Sequence, residues 1–266
     1  MSEYLISIML GIIEGVTEFL PISSTGHLII VNQFVDFTGQ FAKLFDVVIQ
    51  FGAILSVVAF FWKRLYPFGK KPSEEKKLIF DIWKKAAVGV IPAMVIGVIA
   101  GKYIKEYLFN PYVVSTALII GGIILIYLEN RNKTCTINTI TELSYKTALM
   151  IGLIQCIAMV PGTSRSAATI IGAMLLGSSR LVAAEYSFFL AIPTMFAASV
   201  YSLMKVGRSL SSTELQVLGI GFVVSFITAL LVIALFMKYI TNNNFKPFGY
   251  YRIILGIIVL LYFIIM

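Results

Sequence analysis

The stretch GIIEGVTEFLPISSTGHLIIV, residues 11–31, decides how this chain must be read. Its flanks are apolar enough for a buried or membrane helix, yet Pro21-Ile-Ser-Ser-Thr-Gly26 breaks it with a proline, three hydroxyls and a glycine. Proline removes a backbone donor and ends a helix, and Ser or Thr starts a new one. A second stretch is built the same way: apolar sequence on both sides of Pro161-Gly-Thr-Ser-Arg-Ser166. In hydrocarbon, a broken backbone is tolerated only where protein or a wet cavity satisfies it. Each stretch is therefore expected to be two short helices meeting at a turn inside the membrane, both turns facing one internal site.

The surrounding sequence requires a membrane. Of 266 residues 59% are hydrophobic and only 13% charged, with a mean hydropathy of +0.92, which no soluble domain shows. Uncharged stretches recur at 47–62, 86–101, 112–128, 147–164, 166–179, 186–204, 215–237 and 253–266, several long enough to span with flanking help. The N-terminus lacks the basic start and small-residue cleavage site of a signal peptide and carries Glu14 and Glu18, so it is expected to remain as structure.

The net charge of +8 could suggest nucleic acid, but the cations sit in short gaps between apolar runs, where they set topology. Loop 63–85 carries eight of them and is placed in the cytoplasm. Alternation then puts Arg131, Lys133, Lys146, Arg180, Lys238, Lys246 and Arg252 on the same side, and Lys43, Lys102, Lys105, Lys205 and Arg208 outside, with Arg165 within the membrane and both termini outside.

Three spans, near 42–62, 86–101 and 112–128, separate the two broken stretches, so the second enters from the opposite face. Features repeat in order. An offset of 140 lays Pro21 on Pro161 and Ser24 on Ser164; with one residue of slip GIIE (11–14) falls on GLIQ (152–155), and IIGGII (119–124) resembles IILGII (253–258). The fold expected is an all-α integral membrane protein, one domain built as an inverted repeat of 1–128 and 129–266, with about six transmembrane helices and two re-entrant broken regions.

One histidine and two well-separated cysteines, Cys135 and Cys156, exclude zinc sites built on several imidazoles and CxxC redox or iron–sulfur sites. Carboxylates, hydroxyls, arginine and His27 remain. Glu14 and Glu18, four apart, lie about 40° apart around a helix and about 6 Å along it. They are either solvated acids of an interfacial helix or, as their apolar neighbours favour, a pair facing a cavity, where Mg²⁺ or Ca²⁺ would relieve their repulsion. Ser23, Ser24 and Thr25 cap a helix and also stand where a helix N-terminus binds an anion. His27 is a buried structural residue or, near those groups, a nucleophile or general acid–base. Arg165, flanked by Ser164 and Ser166 with Gly162 before it and Thr169 one turn beyond, is either paired with Glu14, Glu18, Asp46 or Glu185, or grips phosphate with its planar fork; both can hold together. Gln50 and Gln155 line the cavity or join helices, while Asp46 and Glu185 are expected near the interface.

EGVTEFLPISSTGH (14–27), FDVVIQFGAIL (45–55), PGTSRSAAT (161–169) and FFLAIPTMFAAS (188–199) together resemble the bacterial undecaprenyl-pyrophosphate phosphatase, or bacitracin-resistance, family along nearly the whole chain. The resemblance implies a multi-pass protein of the bacterial cytoplasmic membrane that hydrolyses undecaprenyl pyrophosphate to the monophosphate and inorganic phosphate. It thereby recycles the lipid carrier of cell-wall synthesis, with a divalent metal and a site opening to the outer face. It implies metal-binding and catalytic roles for Glu14 and Glu18, catalytic roles for Ser24, His27 and Arg165, and pyrophosphate binding by Ser164, Arg165 and Thr169. Gly162 and Ser166 complete the expected substrate-binding set. A polyprenyl pyrophosphate and the membrane are the expected partners, nucleic acid is not, and self-association into a homodimer is left open. The residues themselves equally describe a polyprenyl-phosphate flippase or an anion transporter.

Overall fold

A computed structural model describes residues 2–131, 134–206 and 210–265. Among them the chain is helical throughout: α1 (Glu3–Thr17), α2 (Ser24–Phe34), α3 (Gly39–Phe60), α4 (Trp62–Leu65), α5 (Ser73–Leu108), α6 (Pro111–Glu129), α7 (Tyr145–Gln155), α8 (Arg165–Leu175), α9 (Arg180–Val206), α10 (Ser212–Asn242) and α11 (Lys246–Ile265), with short 3₁₀ turns at Ile140–Glu142 and Cys156–Met159. Six helices, α3, α5, α6, α9, α10 and α11, are long and apolar enough to cross a membrane. By contrast α2 and α8, 11 residues each, reach about 16 Å, half a bilayer core.

Both sequence breaks are real and share one device. Ser23 and Ser164 lie at positive φ, 75° and 71°, and each caps the following helix, accepting from the N–H of Gly26 and Ala167. A non-glycine residue held there is uncommon and persists because the cap and its neighbours fix it. The two caps are 141 residues apart, as are Glu14 and Gln155. At these positions the offset is 141, with Ser23 opposite Ser164, whereas the prolines Pro21 and Pro161 stand 140 apart.

Helices cross where side chains are smallest. A Cβ on Gly122 of α6 would run into the carbonyl of Gly249 of α11, and one on Gly256 of α11 into that of Ser115 of α6. Likewise Gly11 of α1 abuts the carbonyl of Gly221 in α10, while Gly152 of α7 abuts that of Gly89 in α5. In each case one contact becomes the other when the chain halves are exchanged. Hydrocarbon gives apolar helices no reason to associate, so close approach of small residues and hydrogen bonds such as Ser225 to the Ile49 carbonyl (2.7 Å) hold the bundle.

At the centre, Phe19, Phe61, Phe188, Phe189 and Phe236 pack in edge-on and tilted pairs 5.1–6.3 Å apart. Phe19 directly follows Glu18, so the aromatic core fixes the first break.

One topology reading needs correction. Arg252, expected in the cytoplasm, has no exposed surface; it lies inside α11 and donates to main-chain carbonyls. Glu185, expected near the interface, is 6% exposed and paired with Arg64 of the basic loop, because α4 brings that loop onto the first turns of α9. Asp46 is half-buried and accepts from Asn32 at 3.5 Å. Lys133 and Arg208 lie outside the described residues.

Candidate active site

The turn after α1 and the turn before α8 meet at a cavity of about 200 Å³ lined by Glu18, Ser23, Ser24, Gln50, Ser164 and Arg165, with Thr25 and Gly162 also on its wall. Glu18 stands at the end of α1 and Arg165 at the first position of α8, so the broken helices aim an acid and a base at each other. Their side chains join at 2.9 Å, Arg165 Nη2 to Glu18 Oε1, both largely buried. The other carboxylate oxygen, Oε2, accepts the Ser24 hydroxyl at 2.5 Å. Burying this pair is costly in a low dielectric unless further bonds satisfy it. Arg165 accordingly also donates through Nη1 to the carbonyl of Ser187 (2.9 Å) and its hydroxyl (3.3 Å) and lies 5.8 Å over the Phe19 ring.

Ser166 and Thr169 are fully buried behind the arginine. Ser166 donates to the carbonyl of Leu20 at 2.8 Å, tying the two turns directly, and shares a 3.0 Å hydrogen bond with the Ser164 hydroxyl. Thr169 donates its hydroxyl at 2.7 Å to Ser187, which braces Arg165. These two side chains orient the site; the cavity wall itself is Ser164 and Arg165. Gly162 has φ 90° and no room for a Cβ, which would meet the backbone of Val114, so this turn demands glycine.

Glu14 is 1% exposed and its Oε1 has no hydrogen-bond partner; Gln155, its counterpart in the second half, is 2% exposed with neither amide atom partnered. Unsatisfied buried polar atoms cost free energy, and on the Glu14 side they adjoin the cavity acid Glu18. His27 is not on the cavity wall but adjoins the wall residue Ser23. Its Nδ1 is 2.7 Å from the Ser23 carbonyl, its Nε2 is 2.7 Å from the Tyr251 hydroxyl, and its ring stacks on Tyr251. Nδ1 thus meets the main chain of a wall residue, and Nε2 meets Tyr251.

Sequence reading missed the groups that hold the site together. Ser187 is one hydroxyl among many on an apolar helix. Arg252 donates to the carbonyls of Pro21 (3.2 Å) and Gly162 (3.1 Å), two positions 141 apart, and to that of Ala117 (3.1 Å). It clamps both turns at once. Its only signal in the sequence was an arginine seven positions into an apolar helix.

The family model for the bacitracin resistance protein BacA matches residues 7–258. Among curated relatives, undecaprenyl-diphosphatase 1 of Clostridioides difficile is 50% identical over 98% of this chain and 96% of its own. Undecaprenyl-diphosphatase of Enterococcus faecalis is 49% identical over 97% and 96%, and that of Acetivibrio thermocellus 48% over 99% of both. With the match covering nearly the whole length, including both turns that build the cavity, the chain belongs to the bacitracin resistance protein BacA family.

Proposed function

We propose that the chain hydrolyses undecaprenyl diphosphate to undecaprenyl phosphate and inorganic phosphate, in the bacterial cytoplasmic membrane, returning the lipid carrier to cell-wall synthesis. The observation that carries this reading is the contact of Arg165 with Glu18 and of Glu18 with Ser24 in one cavity between the two broken helices, in a chain whose relatives bear that activity's name.

The geometry supplies the parts of a phosphoryl transfer. Arg165, Ser164 and the N–H groups at the start of α8 receive phosphate oxygens. Ser24 donates to Glu18 as a nucleophile donates to its base. In the covalent route, the Ser24 oxygen attacks the terminal phosphorus in line, its proton passing to Glu18. The bond to the bridging oxygen breaks, and undecaprenyl phosphate leaves. Glu18 hands its proton to the departing phosphate oxygen. Water then attacks the phosphoserine and gives a proton back to Glu18, the bond from phosphorus to the Ser24 oxygen breaks with that oxygen reprotonated by Glu18, and inorganic phosphate departs. In the direct route, water takes the place of Ser24 and Glu18 receives its proton. Arg165 offsets the charge on the transferring group in either case. His27 holds the turn through Ser23 rather than exchanging protons in the cavity.

Glu14 and Glu18 would hold a divalent ion. Glu14 offers an unpartnered buried oxygen, but both Glu18 oxygens are engaged, and no cluster of three or more acidic, His or Cys ligands exists among the described residues. Substrate oxygens and water must therefore complete the shell, as is usual for Mg²⁺ with one or two carboxylates. An ion held by these two carboxylates would supply positive charge to offset that of the diphosphate.

The sidedness in this reading is supported by α5, which starts within the basic stretch 63–85; Phe109, just past its far end, lines the cavity. With the basic loop in the cytoplasm, the site opens to the outer face, and the prenyl chain leaves past Phe109 and Met159 into lipid.

The test is phosphate release from undecaprenyl diphosphate by purified protein in detergent, with and without Mg²⁺ or Ca²⁺. Release that needs the metal and is lost in Arg165→Ala and Glu18→Gln supports the reading, and ³²P retained on Ser24 after rapid quench selects the covalent route. No release from folded protein, together with movement of lipid phosphate across sealed vesicles, would replace hydrolysis by transport.

A further inference from the structure

The segment that builds the cavity wall, Gly162-Thr163-Ser164-Arg165, has a counterpart fifteen residues on: Gly177-Ser178-Ser179-Arg180. The two are alike in structure as well as letters. Both glycines have positive φ, 90° and 96°. The serine before each arginine caps the next helix, Ser164 accepting from Ala167 N and Ser179 from Val182 N. Each arginine is the first residue of its helix, α8 or α9. Each is paired with a buried glutamate, Arg165 with Glu18 and Arg180 with Glu129, the latter's side chain only 1% exposed.

The second segment lines its own cavity of about 290 Å³, with Glu129, Arg131, Ser178, Ser179 and Arg180 on its wall. It sits where α6 and α10 end and α9 begins, at the end of the bundle that carries the basic loop and opposite the one that Phe109 marks. Ser178 is 3% exposed and its hydroxyl has no hydrogen-bond partner. Glu129 is already neutralised: Arg180 binds it through Nε (2.9 and 3.0 Å) and Nη2 (2.5 Å), and the backbone N–H of Phe245 donates to it. Those bonds do not use Arg180 Nη1. What the cavity offers beyond the ion pair is therefore donors: that Nη1, the Ser178 hydroxyl, the N–H groups opening a 27-residue helix, and Arg131 at its mouth. A tetrahedral, multiply charged oxyanion is the ligand such a set takes.

We infer that the juxtaposition of Ser178, Arg180, Arg131 and the start of α9 is a second phosphate site, which takes a phosphate monoester dianion, free or carried as a lipid headgroup. It does not depend on the hydrolytic reading, because it shares no residue with the cavity of Glu18 and Arg165.

The experiment uses the full chain carrying Arg165→Ala, so that the first cavity contributes little, and measures equilibrium binding of radiolabelled inorganic phosphate in detergent at constant ionic strength. One saturable site per chain is expected, weakened about tenfold or more by Ser178→Leu, which fills the cavity, and by Arg131→Gln, which leaves the Glu129 pair intact. In a second arm the same chain sits in phosphatidylcholine nanodiscs with or without phosphatidate, and retained phosphatidate is counted after purification. Saturable phosphate binding in detergent identifies a soluble phosphate; retention of phosphatidate alone, lost in both variants, identifies a lipid headgroup. Neither signal, or a signal that both variants leave unchanged while remaining folded by thermal unfolding, overturns the site. Restoring Arg165 separates the two readings, since binding at Ser178 and Arg131 persists whether or not the first cavity hydrolyses anything.

Discussion

The two turns, 18–23 and 156–164, are the same backbone device carrying opposite chemistry. Each places a serine at positive φ as a cap, each follows a short helix that abuts a long helix of the other half through glycine, and each offers a carbonyl to Arg252. Yet the first turn presents Glu18 and Ser24, and the second presents Arg165. Neither is a site alone. A scaffold that treats its halves alike brings an acid with a hydroxyl and a cation to one point, and the difference between the halves is the chemistry.

The sharpest way to break this comparison is to remove one half's contribution. Arg165→Ala is expected to lower phosphate release about 10³-fold or more, the range for an arginine that offsets transition-state charge, and Glu18→Gln about 10²-fold. Because the two side chains touch, the double variant should be scarcely worse than Arg165→Ala, and initial rates at saturating substrate check this. Additive losses would mean that the halves act separately.

Packing should distinguish the halves next. Gly152→Ala forces α7 off the Gly89 backbone and is expected to cost about 1–3 kcal/mol, whereas Gly11→Ala, whose Cβ would lie 2.9 Å from the Gly221 carbonyl oxygen, should cost less. Thermal unfolding in detergent measures both, and equal losses would show the crossings to be equivalent. A chemical asymmetry comes third. Glu14→Gln should raise the Mg²⁺ or Ca²⁺ concentration for half-maximal activity about tenfold, by removing a charged ligand, while Gln155→Ala should leave it unchanged. A shift in both variants would place the ion on the axis between the halves. The smallest effect concerns the shared device: Ser23→Ala and Ser164→Ala should each lower stability by about 1 kcal/mol, the worth of a cap, read as matched falls in Tm. Unequal falls would show that one turn is held mainly by its neighbours.

Much of this architecture was legible because hydrocarbon imposes simple rules. Length and hydropathy announced the spans, and Pro21 and Pro161 beside hydroxyls marked the breaks. Arg165 was conspicuous because an arginine in apolar sequence must meet an anion or an acid; it meets Glu18. The prolines stand 140 apart and the capping serines 141 apart, and the backbone at each break is organised by the serine at positive φ. Arg252 was counted with the cytoplasmic cations because charge near the end of an apolar run is usually solvated. Its carbonyl partners lie on segments 90 to 231 residues distant, which no local pattern reveals.

By itself the sequence determined that this chain lies in a membrane, that its apolar helices break twice, and which residue types carry charge and hydroxyls to the breaks. Those are local properties, set by side-chain hydrophobicity and backbone preference over a few residues. Tertiary structure alone decided which of the charges meet: that Glu18 rather than Glu14, Asp46 or Glu185 takes Arg165, that His27 turns toward Tyr251, and that Ser187 and Arg252 lock the site from behind. These pairings depend on close approach of helices at glycine contacts far apart in the chain, and the cost of leaving a buried charge or hydroxyl unpaired selects among them only once the helices are packed.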